Sequence, residues 1–117
     1  MAYEALSRIP PMPATVIWTV GGRTYEFQLH PIGTVYLPVP GLYIFCRLAA
    51  NGRWDPLYVG ETSNMQDRLT QSHHHWDRVI AAGATHICTL RVVGDSSLRL
   101  NLETLFRMHL NPPINRQ

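Results

Sequence analysis

Two tyrosines, an arginine, a run of three histidines and one glutamate are the residues of this chain whose types and spacing could do chemistry. Tyr43 closes the tripeptide Gly41-Leu42-Tyr43, and Tyr58 opens Tyr58-Val59-Gly60, the two tyrosines lying fifteen residues apart. Arg68 follows ten residues past Tyr58, then come His73, His74 and His75, then Glu103, and Asn115 ends the stretch Asn-Pro-Pro-Ile-Asn. Cleaving a phosphodiester needs an activated water, charge neutralisation at phosphorus and help for the leaving oxygen. Arg68 can fork onto a phosphate and hold the charge that develops there. Arg78, further along the same segment, is a weaker candidate for a flanking phosphate. Glu103 is an oxygen ligand for a single hard cation, magnesium or manganese, that keeps most of its waters. A phenol can position the attacking water or pass on its proton, but near its ordinary pKa of about 10 it is a poor base at neutral pH.

The elements that must carry these residues come from periodicity. Residues 1–13 hold three prolines and no period, which predicts an irregular arm. Val16, Trp18 and Val20 alternate with Thr15, Ile17 and Thr19, and Tyr25, Phe27 and Leu29 alternate with polar neighbours across Gly21-Gly22, a hairpin signature. Leu42–Leu48 and Pro56–Val59 flank the turn residues Asn51-Gly52 and predict a second hairpin. A loose helical period runs over Asn64–Ala82, its weakest point the three histidines. Thr85–Val93 reads as a strand. Leu98, Leu102, Leu105, Phe106 and His109 share a helical face that Pro112-Pro113 terminates. The expectation is a small α/β fold: a mostly antiparallel three-stranded sheet flanked by two helices, in the order β-β-α-β-α, with an N-terminal β-hairpin extension.

On a regular helix successive residues point about 100° apart, so at most one of the three histidines faces a given site, and a three-histidine metal centre fails on geometry. One turn past Arg68 falls on Ser72; His73 is the nearest histidine to that position, whereas a regular helix favours His75. Glu103 lies at the margin of the last helix's apolar face, where a carboxylate is costly unless paired, metal-bound or wet.

The paired tripeptides, Arg68, Glu103 and Asn115, in this order and spacing, resemble the signature of the GIY-YIG nucleases. The resemblance covers residues 41–115 and divides the chain into an N-terminal arm and hairpin over 1–40 and a nuclease-like domain over 41–117. It implies a metal-dependent endonuclease acting on nucleic acid, DNA in the first place. Its site would hold Tyr43 and Tyr58 beside the scissile phosphate, Arg68 on that phosphate, Glu103 on the metal and Asn115 as a hydrogen-bonding brace. Such nucleases often carry a second proton-transfer group about a turn past the arginine, the role in which His73 stands here. Glu61, directly after Gly60, departs from the pattern, because a carboxylate there repels phosphate unless it joins the metal shell or pairs with an arginine. The rival reading is a nucleic-acid-binding module that kept this fold and lost turnover.

Composition sets the outer bounds. A chain of 117 residues, 45% hydrophobic and 15% charged, suits one folded domain and not a disordered one. No apolar run approaches the roughly 20 residues a membrane helix needs, and the N-terminus has no basic leader. With Cys46 and Cys88 read as reduced core residues, this predicts a cytoplasmic protein. The ten basic residues are all arginine, which suits phosphate binding and equally reflects a GC-rich coding bias. The N-terminal hairpin, with Trp18, Arg23 and Tyr25, is expected to extend the sheet and to meet either nucleic acid or a second copy of the chain in a homodimer.

Overall fold

The computed structural model describes residues 14–116; the expected irregular arm over 1–13 lies outside them. Five strands form one curled antiparallel sheet: Thr15–Val20 (β1), Arg23–Pro31 (β2), Gly41–Leu48 (β3), Trp54–Thr62 (β4) and His86–Arg91 (β5), in the order β1-β2-β5-β3-β4. Three helices accompany it, Met65–Arg68 (α1), Trp76–Ala81 (α2) and Ser96–Leu110 (α3), and a 3-10 turn covers Ile114–Arg116.

This corrects the expected three-stranded sheet with two helices in both counts. The N-terminal hairpin extends the sheet itself, to five strands. Its second strand pairs with β5 in the register Gln28↔Thr89 and Leu29↔Cys88, while β3 takes the other edge of β5. Without β2, one edge of β5 would present a row of unpaired backbone donors and acceptors, a cost that pairing removes.

The extra helix comes from a break. The backbone between α1 and α2 is captured by side chains: the Ser72 N–H donates to Thr70 Oγ1 at 3.2 Å and the His75 N–H to His73 Nδ1 at 3.0 Å. Such local bonds compete with the helical ladder, and the single predicted helix over Asn64–Ala82 becomes two short ones joined by turns.

Both faces of β3 are covered, and residues 41–46 are all buried. On one face Leu42, Ile44 and Cys46 join Val59, Cys88, Phe27 and Phe106 of α3. On the other, Tyr43 and Phe45 pack with Leu57, Tyr58, Met65, Val79 and Ile114. Trp18 and Tyr25, expected as contact residues, belong to the α3 side: Trp18 is buried and the Tyr25 ring meets Phe106 edge-on at 5.0 Å, while Arg23 is exposed. Cys46 and Cys88 are free and buried, their sulfurs 3.3 Å apart.

Asp95 caps α3 by accepting from the Leu98 N–H, and Asn111 closes it in the left-handed conformation at φ 48° before the two prolines. Leu102, Leu105 and Phe106 of the expected face of α3 meet the core, but the face shifts at its ends. Arg99 is buried with Phe106, whereas Leu98 and His109 are exposed. Among the described residues no helix is long and apolar enough to cross a membrane.

Candidate active site

Register with β3 decides where Tyr58 points, and a β-bulge adds Leu57 to the same face. Phe45 pairs with Tyr58 but Cys46 pairs with Pro56, so Leu57 is left over in β4. Consecutive strand residues normally face opposite sides; across this bulge Leu57 and Tyr58 both turn to the face that carries Tyr43. The edge position of β4 is also what lets Pro56 sit in a strand. Tyr43 lies directly across from Gly60. A Cβ at residue 60 would overlap the Tyr43 ring and its hydroxyl, so the glycine of the second tripeptide is there to admit the tyrosine of the first. A Cβ at Gly41 would likewise strike the Leu90 carbonyl oxygen.

The Tyr43 hydroxyl is the junction of the site. It lies 2.7 Å from His73 Nε2 and accepts from Arg68 Nε at 3.4 Å. The tautomer of His73 follows from its other nitrogen. Nδ1 receives the His75 backbone N–H, which can only donate, so the neutral ring carries its proton on Nε2 and donates it to Tyr43. Burial, then the nearby His74, Arg68 and His75, lowers the His73 pKa to about 3, which keeps the ring neutral. The Tyr43 oxygen therefore receives two hydrogen bonds, and its own proton points away from both donors. Burial nonetheless holds the Tyr43 phenol well above its ordinary pKa, with the bond from Arg68 pulling the other way. Tyr58 is raised too, by burial first and then by Glu103.

All three histidines gather here, because the segment that carries them is a turn and the 100° rule of a regular helix does not apply. His74 stacks on His73 at 4.6 Å between ring centroids, and His75 lies 4.8 Å from the Tyr58 ring. Only His73 reaches Tyr43.

Glu103 approaches from α3, its side chain 18% exposed and 3.7 Å from the Arg107 guanidinium. Burial, and more weakly Glu61, raises its pKa against the pull of Arg107. Among the described residues no group of three or more histidine, cysteine or acidic side chains is placed to share a metal. A half-buried carboxylate with one long ion pair fits a hard cation that keeps water on most of its positions.

Glu61, the departure from the expected pattern, is paired. Arg99 Nε donates to its carboxylate at 3.1 Å and Arg99 also reaches the Gly94 carbonyl. Sequence reading missed Arg99 because it assigned the inward face of α3 to Leu98; the spacing Arg99, Glu103, Phe106 and Leu110 was the available signal. Asn115 braces the edge: its Oδ1 accepts from the Val59 N–H at 2.7 Å and its Nδ2 donates to the Val59 carbonyl at 2.9 Å. The fold thus brings together Tyr43, Tyr58, Arg68, His73 and Glu103, with Asn115 behind them. Arg78 stands apart, exposed on α2 beyond His75.

No family model, curated protein or solved structure matches the chain. The functional reading therefore stands on the residues and their geometry.

Proposed function

We propose that this protein is a metal-dependent endonuclease of the GIY-YIG type, hydrolysing phosphodiester bonds in DNA. The observation that carries the reading is the Tyr43 hydroxyl, which receives hydrogen bonds from both His73 and Arg68. In this reading Tyr43 orients the attacking water and, once deprotonated, takes its proton. The two donors stabilise the anionic oxygen that this requires. His73 is then a positioning residue and not the base, because its Nε2 already carries a proton. Arg68, exposed apart from its bond to Tyr43, is free to turn its guanidinium onto the scissile phosphate and hold charge in the transition state. Tyr58, on the same face, lines the phosphate's path.

Glu103 would hold magnesium or manganese, which supplies charge neutralisation at the phosphate when bound. Pairing of Glu61 with Arg99 offsets the negative charge that would otherwise repel the substrate, which favours turnover over a binding module without it. The free, buried Cys46 and Cys88 accord with a reducing cytoplasm.

The test is incubation of the purified protein with labelled single- and double-stranded DNA, with magnesium or manganese and with chelator. Metal-dependent cutting that stops on chelation is expected. Undiminished cutting in excess chelator would overturn the one-metal reading, and no cutting of either form would overturn the enzyme.

A further inference from the structure

A cavity of about 330 Å³ opens next to the candidate site, lined by Thr104, Arg107, Met108 and Asn111 at the end of α3 and by Pro112 and Arg116 beyond it. Its placement relative to the tyrosines is fixed by the Asn115 brace. Because Asn115 holds both backbone polar groups of Val59, Arg116 sits one residue from a clamp on the strand position next to Tyr58. Arg107, on the opposite wall, is close enough to Tyr58 and Glu103 to draw the pKa of each downward.

We infer that this cavity is a nucleotide subsite, which takes the nucleotide flanking the scissile phosphate, with Arg107 and Arg116 on the flanking phosphate and the sugar or base against Met108. The inference rests on the proposed action on DNA. Three observations favour this occupant. The two guanidiniums supply charge complementary to a phosphate, and arginine's fork suits its oxygens. Arg116 makes no ion pair among the described residues, and Arg107 only the long contact to Glu103. Met108 is 72% exposed, an apolar surface that a sugar or base can cover.

The subsite also assigns Arg107 a second partner. A cation on Glu103 would weaken the hold of that carboxylate on Arg107 and leave the guanidinium to the flanking phosphate. Binding of cation and strand would then support each other. The α3 C-terminus, and not the exposed Arg78 on α2, becomes the place where the strand is gripped outside the reacting centre.

The experiment measures affinity of the full chain for labelled single-stranded and duplex 20-mers in chelator, where no cutting competes, over a series of salt concentrations. Arg116→Ala is expected to weaken binding several-fold and to reduce the slope of log affinity against log salt by about one, the mark of one lost phosphate contact. Met108→Glu, which places a carboxylate in the cavity from an exposed position, should weaken binding at least as much. Arg53→Ala, in the exposed β3–β4 turn, is the control and should leave the slope unchanged. Unaltered affinity and slope in Arg116→Ala and Met108→Glu would overturn the subsite, as would an equal shift in Arg53→Ala, which would mean diffuse charge. A parent that binds through this cavity but never cuts with magnesium would leave the subsite standing and remove the nuclease. A parent that binds neither form of DNA would remove both.

Discussion

The candidate site is assembled from two kinds of backbone. Tyr43, Tyr58, Glu103 and Asn115 stand on or brace the sheet and α3, where position is set by ladder hydrogen bonds and a close-packed core. Arg68 and His73 stand at the end of a four-residue helix and on the turn after it, held by local bonds that the Ser72 and His75 N–H groups donate to Thr70 and His73. The turn-borne groups meet the strand-borne ones at the Tyr43 oxygen. The difference teaches that substitutions on the turn should alter turnover more than stability, and those on the strand edge the reverse.

Arg68→Ala is expected to have the largest effect on turnover among the turn residues. Removing a charge that acts mainly in the transition state should slow cleavage roughly 10²–10³-fold, with the thermal transition nearly unmoved because Arg68 is exposed. Steady-state cleavage and a melting curve check both halves. Unchanged turnover would make Arg68 a surface residue and break the comparison at its strongest point.

His73 should matter next, and the three histidines should be unequal. His73→Ala removes one donor from Tyr43 and should cost about tenfold in rate, the worth of about one buried hydrogen bond. His73→Gln, whose amide can still donate, should recover part of it; His74→Ala and His75→Ala should be mild. His73 also sharpens the comparison through pH. The unfolded chain binds a proton near pH 6.5 that the folded protein refuses until about 3, so stability rises with pH across that window and is lost as pH falls through it. Melting temperatures between pH 7 and pH 4 should fall more steeply in the parent than in His73→Gln.

On the strand edge, Asn115→Ala should show the opposite balance. Losing both bonds to Val59 should cost about 1–2 kcal/mol of stability, read by denaturant unfolding, while activity measured well below the melting temperature falls only a few-fold. A stable Asn115→Ala protein with abolished cleavage would place Asn115 among the reacting groups.

What the sequence made legible follows the same division. Strand alternation located the first hairpin around Gly21-Gly22, and spacing singled out Tyr43, Tyr58, Arg68 and Glu103. It anticipated that the hairpin would extend the sheet but not that β2 would pair with β5, because long-range pairing is chosen by edge satisfaction and not by local pattern. The bulge at Leu57, which adds that side chain to the face of Tyr43 and Tyr58, depends on where β4 meets β3 and has no period to announce it. The break between α1 and α2 was visible only as a weak point. Its consequence, that all three histidines crowd one corner and His73 alone reaches Tyr43, needed the side-chain bonds of Thr70 and His73. Arg99 was missed for a simpler reason: the inward face of α3 shifts at its N-terminal end, which trades an expected leucine for a buried arginine that pairs with Glu61.

The most direct test of the account is Glu103→Gln. The amide keeps the shape of the side chain and most of its hydrogen bonding but removes the charge that would bind the cation. Metal-dependent DNA cleavage should collapse, DNA affinity in chelator should hold or tighten because a repulsive charge has gone, and the melting temperature should hold or rise because burial already disfavours this carboxylate. A parent that cuts DNA with magnesium and a Glu103→Gln variant that cuts equally well would contradict the account at its centre.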